Sequence, residues 1–405
     1  MTGVQTCALP ISGKEVWTTQ FGDNKAGYYT TLAPLVGGGG VMVGASGGEL
    51  GIRGFVASFD AETGKERWRT YMVPAPGEPG NETWPAGGDQ WKTGGASIWI
   101  TGNYDQETNT AYWGTGNGGP WMGDKRPGDN LYTAPTVALD ASTGKIKGHF
   151  QYSPNESWDW DEVSPPIVVD FRRGARQVKG LVDVARNGYI YFLDRGDGNA
   201  IKYVEGKPYV FQNVFKSLDP VTGRPDVDPS RKPATGKEAA FCPSISGGKN
   251  WPPVSFDPET RLVYIPANNT MCSTLTGQEV VYNPGKSFMG VRIGPFVPEM
   301  NSRNVGEIQA WNVDTGQKVW TSSPVKSVNW GGMLATAGGL VFNGGTADRK
   351  IRAYDAKTGK VLWQYQCGAG VNAPPTAYTI DGKMYIAVAA GGNTQLDYKI
   401  GRAHV

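Results

Sequence analysis

Histidine is almost missing from this sequence: His149 and His404 are the only two in 405 residues. A Ser-His-Asp triad and a His-rich zinc site are therefore poorly supplied. Chemistry has to rest on carboxylates, amides, arginine or a cofactor. Cysteine is scarce too. None of Cys7, Cys242, Cys272 and Cys367 belongs to a CxxC pair, which argues against a zinc ribbon and a CxxCH haem-attachment site. No apolar run approaches the ~20 residues of a spanning helix, so no membrane span is expected. Charge of one sign is lacking as well: the net charge is +2 and no five like charges adjoin. A nucleic-acid groove needs a clustered basic face, and no nucleic-acid partner is expected.

Turn formers and aromatics, by contrast, are plentiful. The chain has 58 Gly, 28 Pro, 14 Trp and 18 Tyr. Gly and Pro end helices and make turns, and aromatics favour strands. Many short strands joined by tight turns are expected. The two ends fit nothing around them. MTGVQTCALPI (1–11) and IGRAHV (400–405) look like translated sequencing-adaptor oligonucleotides, which leaves 12–399 as the expected domain. Residues 1–11 lack a basic n-region and do not read as a signal peptide.

One phrase recurs. It stands as ASFDAETGKERW (Ala57–Trp68), AYDAKTGKVLW (Ala353–Trp363) and AWNVDTGQKVW (Ala310–Trp320). ALDASTGKIKG (Ala138–Gly148) has Gly in place of the Trp, GKEVW (Gly13–Trp17) is the tail of another copy, and FDPETRLVYIP (Phe256–Pro266) is a looser relative. An apolar strand ends at Asp, a Thr-Gly turn reverses the chain, and a second strand starts at Lys. Such hairpins leave a face bare unless another repeat covers it, so they should stack radially with the Trp between sheets. The fold class is all-β and the architecture a β-propeller, with a β-sandwich array as the runner-up. Tyr203–Pro253 lacks alternation and is expected to be an insertion carrying site residues.

Three segments invite chemistry. In VGASGGELGIRG (Val43–Gly54), Glu49 is a lone carboxylate among glycines that let backbone approach a ligand; a solvated turn is the plain alternative. In YWGTGNGGPW (Tyr112–Trp121), Asn117 stands between glycines, where Asn is commonly a left-handed turn residue. In NESWDWDEVSPP (Asn155–Pro166), an extended Trp158–Asp161 puts Asp159 and Asp161 on one side and the two Trp on the other. Like charges on one face repel unless a cation or proton separates them, so a metal site is favoured over an exposed acidic loop.

Together, the docking phrase and the order Glu, Asn, Asp resemble the eight-bladed PQQ-dependent alcohol dehydrogenases of the methanol/ethanol dehydrogenase family, across essentially 12–399. The length implies some five or six blades of an open, incomplete ring. The resemblance implies that Glu49 and Asn117 bind a metal and that Asp159 touches it and acts as catalytic base. Asp161 matches the extra carboxylate of the lanthanide-type members, with calcium the alternative ion; the plain alternative is that Asp161 caps the following turn. It further implies that Thr31, Ser46, Gly47 and Gly48 bind the quinone carboxylates. Ser97 matches a Thr-x-Trp pair with Trp99, which would form the floor under the cofactor. Arg186 would reach the reactive oxygens, and Asn250 and Trp251 would line the site; Trp330 either sits beside it or packs between blades. Cys242 and Cys272 match a paired position, implying a disulfide, with Cys367 left as a reduced thiol.

The family's adjacent Cys-Cys pair, a further carboxylate and an Arg have no counterpart in 12–399, so the chain as written is expected to be inactive. The implied activity is oxidation of a primary alcohol to an aldehyde in the periplasm. Electrons would pass to a c-type cytochrome, and a homodimer is compatible. A non-catalytic binding or assembly propeller and a PQQ sugar dehydrogenase are the rivals. Trp-Asp-x-Asp favours the alcohol branch.

Overall fold

The computed structural model describes residues 12–198, 200–298 and 305–392, together with the backbone of Val4–Ala8, a strand paired with Glu15–Gln20. The rest of 1–11, Lys399 and all of 400–405, with His404, lie outside the described residues. The described chain is all-β. Its helical pieces are three-residue 3₁₀ turns, and no helix among the described residues is long and apolar enough to cross a membrane.

Among the described residues, five of the six four-stranded antiparallel sheets follow one another, each pairing its strands in chain order. Sheet I is Leu35–Gly37, Gly40–Gly44, Phe55–Asp60 and Glu66–Tyr71. Sheet II is Asn103–Asp105, Thr110–Gly114, Pro135–Asp140 and Ile146–Gln151. Sheet III is Ile167–Val168, Gly180–Val184, Tyr189–Asp197 and Ala200–Pro208. Sheet IV is Ser255–Asp257, Leu262–Asn268, Gly306–Asn312 and Gln317–Ser322. Sheet V is Met333–Thr336, Leu340–Asn343, Lys350–Asp355 and Val361–Gln366. Inner strands such as Thr110–Gly114 and Leu262–Asn268 are buried along their whole length, because sheets cover both faces.

The repeated phrase supplies the joints. The Asp60 carboxylate accepts the Thr63 amide and hydroxyl and so closes the turn; Asp140 and Asp355 do the same for Thr143 and Thr358. The Trp at the end of one copy then reaches the turn of the next. Trp17, Trp68 and Trp320 each donate Nε1–H to the carbonyl of Ala61, Ala141 and Ala356, at 2.9, 3.2 and 3.0 Å. Under each ring lies the turn glycine, Gly64, Gly144 or Gly359, at φ near +70° and without room for a Cβ. Trp363, the last copy, is 50% exposed. Replacing Trp320 by Ala should destabilise the protein by ~3–5 kcal/mol, as for other buried aromatics. The denaturant midpoint checks it, and an unchanged midpoint would refute the docking role.

One expectation needs correction. Tyr203–Pro208 is not part of an insertion but the outer strand of sheet III, paired with Tyr189–Leu193. Its core-facing residues are separated by lysines and glutamate, which hides the alternation. The segment beyond it does leave the sheets. Phe215–Leu218 and Pro225–Val227 form a hairpin, and Glu238–Phe241 pairs with Met271–Gly277. Cys242 and Cys272 are disulfide-bonded, 30 residues apart, next to that pairing, and Cys367 is an unbonded, half-buried thiol. Closing a loop of this size stabilises a fold by roughly 3–4 kcal/mol if the effect is chain entropy. Replacing both cysteines by Ser should lower the denaturant midpoint accordingly, and an unchanged midpoint would show the bridge to be incidental.

Candidate active site

The connections after the inner strands of sheets I, II and III converge on one cavity of about 740 Å³, a volume within the range of ~300–1,000 Å³ found for ligand sites. Glu49 reaches it from the 3₁₀ turn Gly48–Leu50, which is bracketed by two left-handed glycines. Gly47 stands at φ +111°, where a Cβ would strike the carbonyl oxygen of Gly27. Only glycine admits this turn, which is why Glu49 sits in a glycine-rich run.

Asp159 and Asp161 both line the cavity, while Trp158 and Trp160 stack behind them in the core, ring centroids 5.1 Å apart. The side-by-side carboxylates arise differently from the extended strand expected. Asp159 has φ +64°, a left-handed conformation that Asp tolerates better than most residues. The buried Glu156 carboxylate holds the bend by accepting the amides of Trp158 and Trp160. Asp161 does not cap the following turn. Its Oδ1 accepts the Asn117 amide at 2.5 Å and its Oδ2 accepts the Trp99 indole N–H at 2.8 Å. Asn117 is not left-handed either; its buried side chain donates to Asp159 Oδ1 at 3.1 Å. Gly116 makes room, since a Cβ there would lie 3.0 Å from Asp161 Oδ1.

Arg186 is the cation facing these acids. Its Nη1 lies 3.4 Å from Asp161 and its Nη2 3.7 Å from Asp159, and Nη2 also donates to the Ile245 carbonyl at 2.6 Å. Its Nε is buried without a hydrogen-bond partner. Burial, followed by the Asp161 charge, pushes the Glu49 carboxyl up. Burial also pushes Asp159 well up, opposed by Arg186 and reinforced by Asp161 and Glu49. Three acids thus meet one guanidinium. Among the described residues, no three His, Cys, Asp or Glu side chains stand together as a finished metal cage.

Thr31, Ser46, Gly47, Trp99, Asn250, Trp251 and Trp330 also line the cavity. Thr31 donates to the Trp99 carbonyl at 2.8 Å and lies 3.2 Å from the Ser46 hydroxyl. Trp330 is buried and does line the site. Gly48, Ser97 and Asn117 are not part of the lining. Ser97 is buried behind it, close enough to Gly48 and Gly116 that a Cβ on either would meet its hydroxyl. Sequence reasoning missed Tyr29, Trp121, the Ser244–Ser246 segment and an apolar wall of Met271, Ile293, Phe296 and Val328. Met271, Ile293 and Phe296 come from an arm inserted into sheet IV that no repeat announces, Met271–Gly277 with its partners Val291–Ile293 and Val297–Pro298, and Val328 comes from the connection between sheets IV and V.

Beneath the lining is a second set of buried charges, also unforeseen. Glu162 accepts the Arg186 amide at 2.8 Å, and burial pushes both Glu162 and Asp183 up. Burial pulls the Lys249 ammonium down to about 8, against the attraction of those two carboxylates.

Known proteins resemble this chain. The family described as PQQ glucose/ethanol/alcohol dehydrogenase, beta-propeller domain, matches residues 12–217 and 321–386. A quinoprotein alcohol dehydrogenase of Pseudomonas putida, PedH, is 36% identical across 94% of this chain and 66% of its own length. The lanthanide-dependent methanol dehydrogenase of Methylacidiphilum fumariolicum is 36% identical across 94% of this chain and 64% of its own. Among solved structures, a europium-containing methanol dehydrogenase superposes with a TM-score of 0.89 at 33% identity, over 96% of this chain and 70% of that one. The chain therefore spans just under two thirds of these two curated relatives.

Proposed function

Because the chain belongs to the family of PQQ-dependent alcohol dehydrogenase β-propellers, we propose that it oxidises a primary alcohol to the aldehyde with PQQ and a lanthanide ion, calcium being the alternative, and that a c-type cytochrome takes the electrons. The observation that carries this reading is the meeting of Glu49, Asp159 and Asp161 with Arg186 at an aromatic-lined cavity. The residues fit the group. Three carboxylates and the Asn117 amide are hard oxygen donors of the kind such cations take. One guanidinium leaves their charge uncompensated, and Arg186 Nε is a buried donor still without an acceptor.

Glu49, Asn117, Asp159 and Asp161 would hold the ion. Thr31, Ser46 and Gly47 would hold the quinone's carboxylates, with Gly48 and Ser97 supporting them from behind. Trp99 would be the floor, fixed in plane by its bond to Asp161. When bound, PQQ supplies a two-electron acceptor and the ion supplies Lewis acidity. Asp159 accepts the alcohol's hydroxyl proton at a carboxylate oxygen, as a general base. Arg186 holds the Asp159 carboxylate in place and steadies its negative form. Asn250, Trp251 and Trp330 complete the lining and exclude water. A periplasmic setting suits the Cys242–Cys272 bridge.

Reconstitution tests the reading. Protein expressed from its native gene is mixed with PQQ and either ion, and dye reduction is followed with short primary alcohols. Oxidation that requires both additions supports it. Failure to take up PQQ, or turnover that needs neither addition, overturns it.

A further inference from the structure

Lys249 is 1% exposed and takes no part in the chemistry above. A buried ammonium needs acceptors for its three protons, and this one has three. Its Nζ donates to Ser164 Oγ at 2.6 Å, to the Asn250 carbonyl at 2.8 Å and, more weakly, to the Pro252 carbonyl at 3.4 Å. Ser164 follows three residues after Asp161. Asn250 and Trp251 are the site residues next along the chain. The ammonium therefore ties the segment bearing the acids to the segment bearing the opposite wall.

The neighbouring backbone turns that tie into a junction. The Gly248 amide donates to the Arg186 carbonyl at 3.0 Å, and the Asn268 amide donates to the Gly248 carbonyl at 2.7 Å. Glu162, which holds the Arg186 amide, also donates its own amide to the Thr115 carbonyl at 2.9 Å, two residues before Asn117. The ammonium itself touches the acid segment and its own segment, and the Arg186 turn, the end of strand Leu262–Asn268 and the Thr115 connection join them through backbone hydrogen bonds. A second side-chain link joins the same two stretches further along, where the Trp160 indole N–H donates to the Ser244 carbonyl at 2.9 Å; the Lys249 ammonium is the link beside Asn250 itself.

We propose that Lys249 is a positioning residue: it clamps the Asn250–Trp251 segment to the Asp159–Ser164 segment and so sets where Asn250 and Trp251 stand relative to the acids and Arg186. This rests on the proposed function for its kinetic consequences, but not for its structural one. Misplacing a reacting group by about 1 Å can slow a reaction by ~10²-fold, so a loosened clamp should act on kcat more than on KM.

The test compares Lys249→Met, Lys249→Arg and Ser164→Ala with the wild type, all produced from the native gene. Amide exchange around Asn250–Trp251 is read without cofactor, PQQ affinity by quenching of tryptophan fluorescence, and kcat and KM on the reconstituted protein. Lys249→Met should exchange faster at Asn250–Trp251, bind PQQ at least tenfold more weakly and lose ~10–100-fold in kcat, by the same misplacement argument. Lys249→Arg should recover part of each loss. Ser164→Ala, which removes one contact only, should move all three readouts the same way by less, and it serves if Lys249→Met does not fold. Unchanged exchange at Asn250–Trp251 in the folded variants would overturn the clamp. A general loss of stability with kcat and PQQ affinity preserved would do the same. A wild type that neither binds PQQ nor oxidises alcohols would instead remove the proposed function, leaving the exchange measurement to decide on Lys249.

Discussion

Asp159→Asn should lower kcat by ~10²–10⁴-fold, the usual contribution of a positioned general base, while leaving the protein folded. The substitution keeps the size of the side chain and removes its ability to accept the hydroxyl proton. The surroundings of Asp159 make the loss specific. Its neighbour Asn117 donates a hydrogen bond to Oδ1, and Arg186 faces Oδ2 at 3.7 Å, so the group is oriented from both sides. Glu49 stands on a separate turn fixed by Gly47, and Asp161 is already engaged at both oxygens by the Asn117 amide and the Trp99 indole. Steady-state kinetics on the reconstituted variant, with PQQ uptake measured alongside, checks it. A kcat within tenfold of the wild type, at full PQQ occupancy, would remove Asp159 from the role of base.

How much of this was legible beforehand depends on whether the signal was local. The docking phrase was readable because each copy carries its own turn chemistry. Asp60, Thr63 and Gly64 act within five residues, and the Trp that follows meets an identical turn in the next copy. Glu49, Asn117, Asp159 and Asp161 were singled out by the family resemblance more than by their own surroundings; Glu49, Asp159 and Asp161 line one cavity, and Asn117 stands behind it, donating to Asp159. The left-handed backbone of Asp159 was not readable. It depends on Glu156 folding back to two amides, a contact visible only once the chain is bent.

Lys249 was illegible for the opposite reason. In sequence it is one lysine in GGKNW; its partners Ser164, Glu162 and Asp183 lie 66 to 87 residues away by number and are brought to it by separate sheets. Arg126 shows the same blindness. It is fully buried and donates to the carbonyls of Pro120, Trp121 and Glu156 and to Asn130, stitching together loops that carry no common motif. Charged residues that act as internal struts look, in a sequence, like solvated ones.

Asp161 should decide which ion the site prefers. Its carboxylate is buried, lines the cavity and stands in the same array as Asp159 and Glu49. At a given distance, a trivalent ion gains half as much again from each carboxylate as a divalent one, because Coulomb energy scales with the charge product. Three carboxylates therefore favour a lanthanide over calcium, and a divalent ion leaves their mutual repulsion less relieved. Removing Asp161 takes away one carboxylate and also frees the Asn117 amide and the Trp99 indole from their acceptor. Two variants separate these effects. Asp161→Asn keeps the size and one acceptor oxygen but loses the charge; Asp161→Ala loses everything. Both should weaken lanthanide binding by at least the ~10–100-fold that even an indirect metal contact is worth, and both should narrow or reverse the preference over calcium. Terbium titration, read by tryptophan-sensitised luminescence, measures affinity apart from turnover, and Trp99 sits 2.8 Å from the carboxylate as the sensitiser. If the wild type is equally active with both ions, or if Asp161→Asn binds terbium as the wild type does, the charge of Asp161 has no part in choosing the metal.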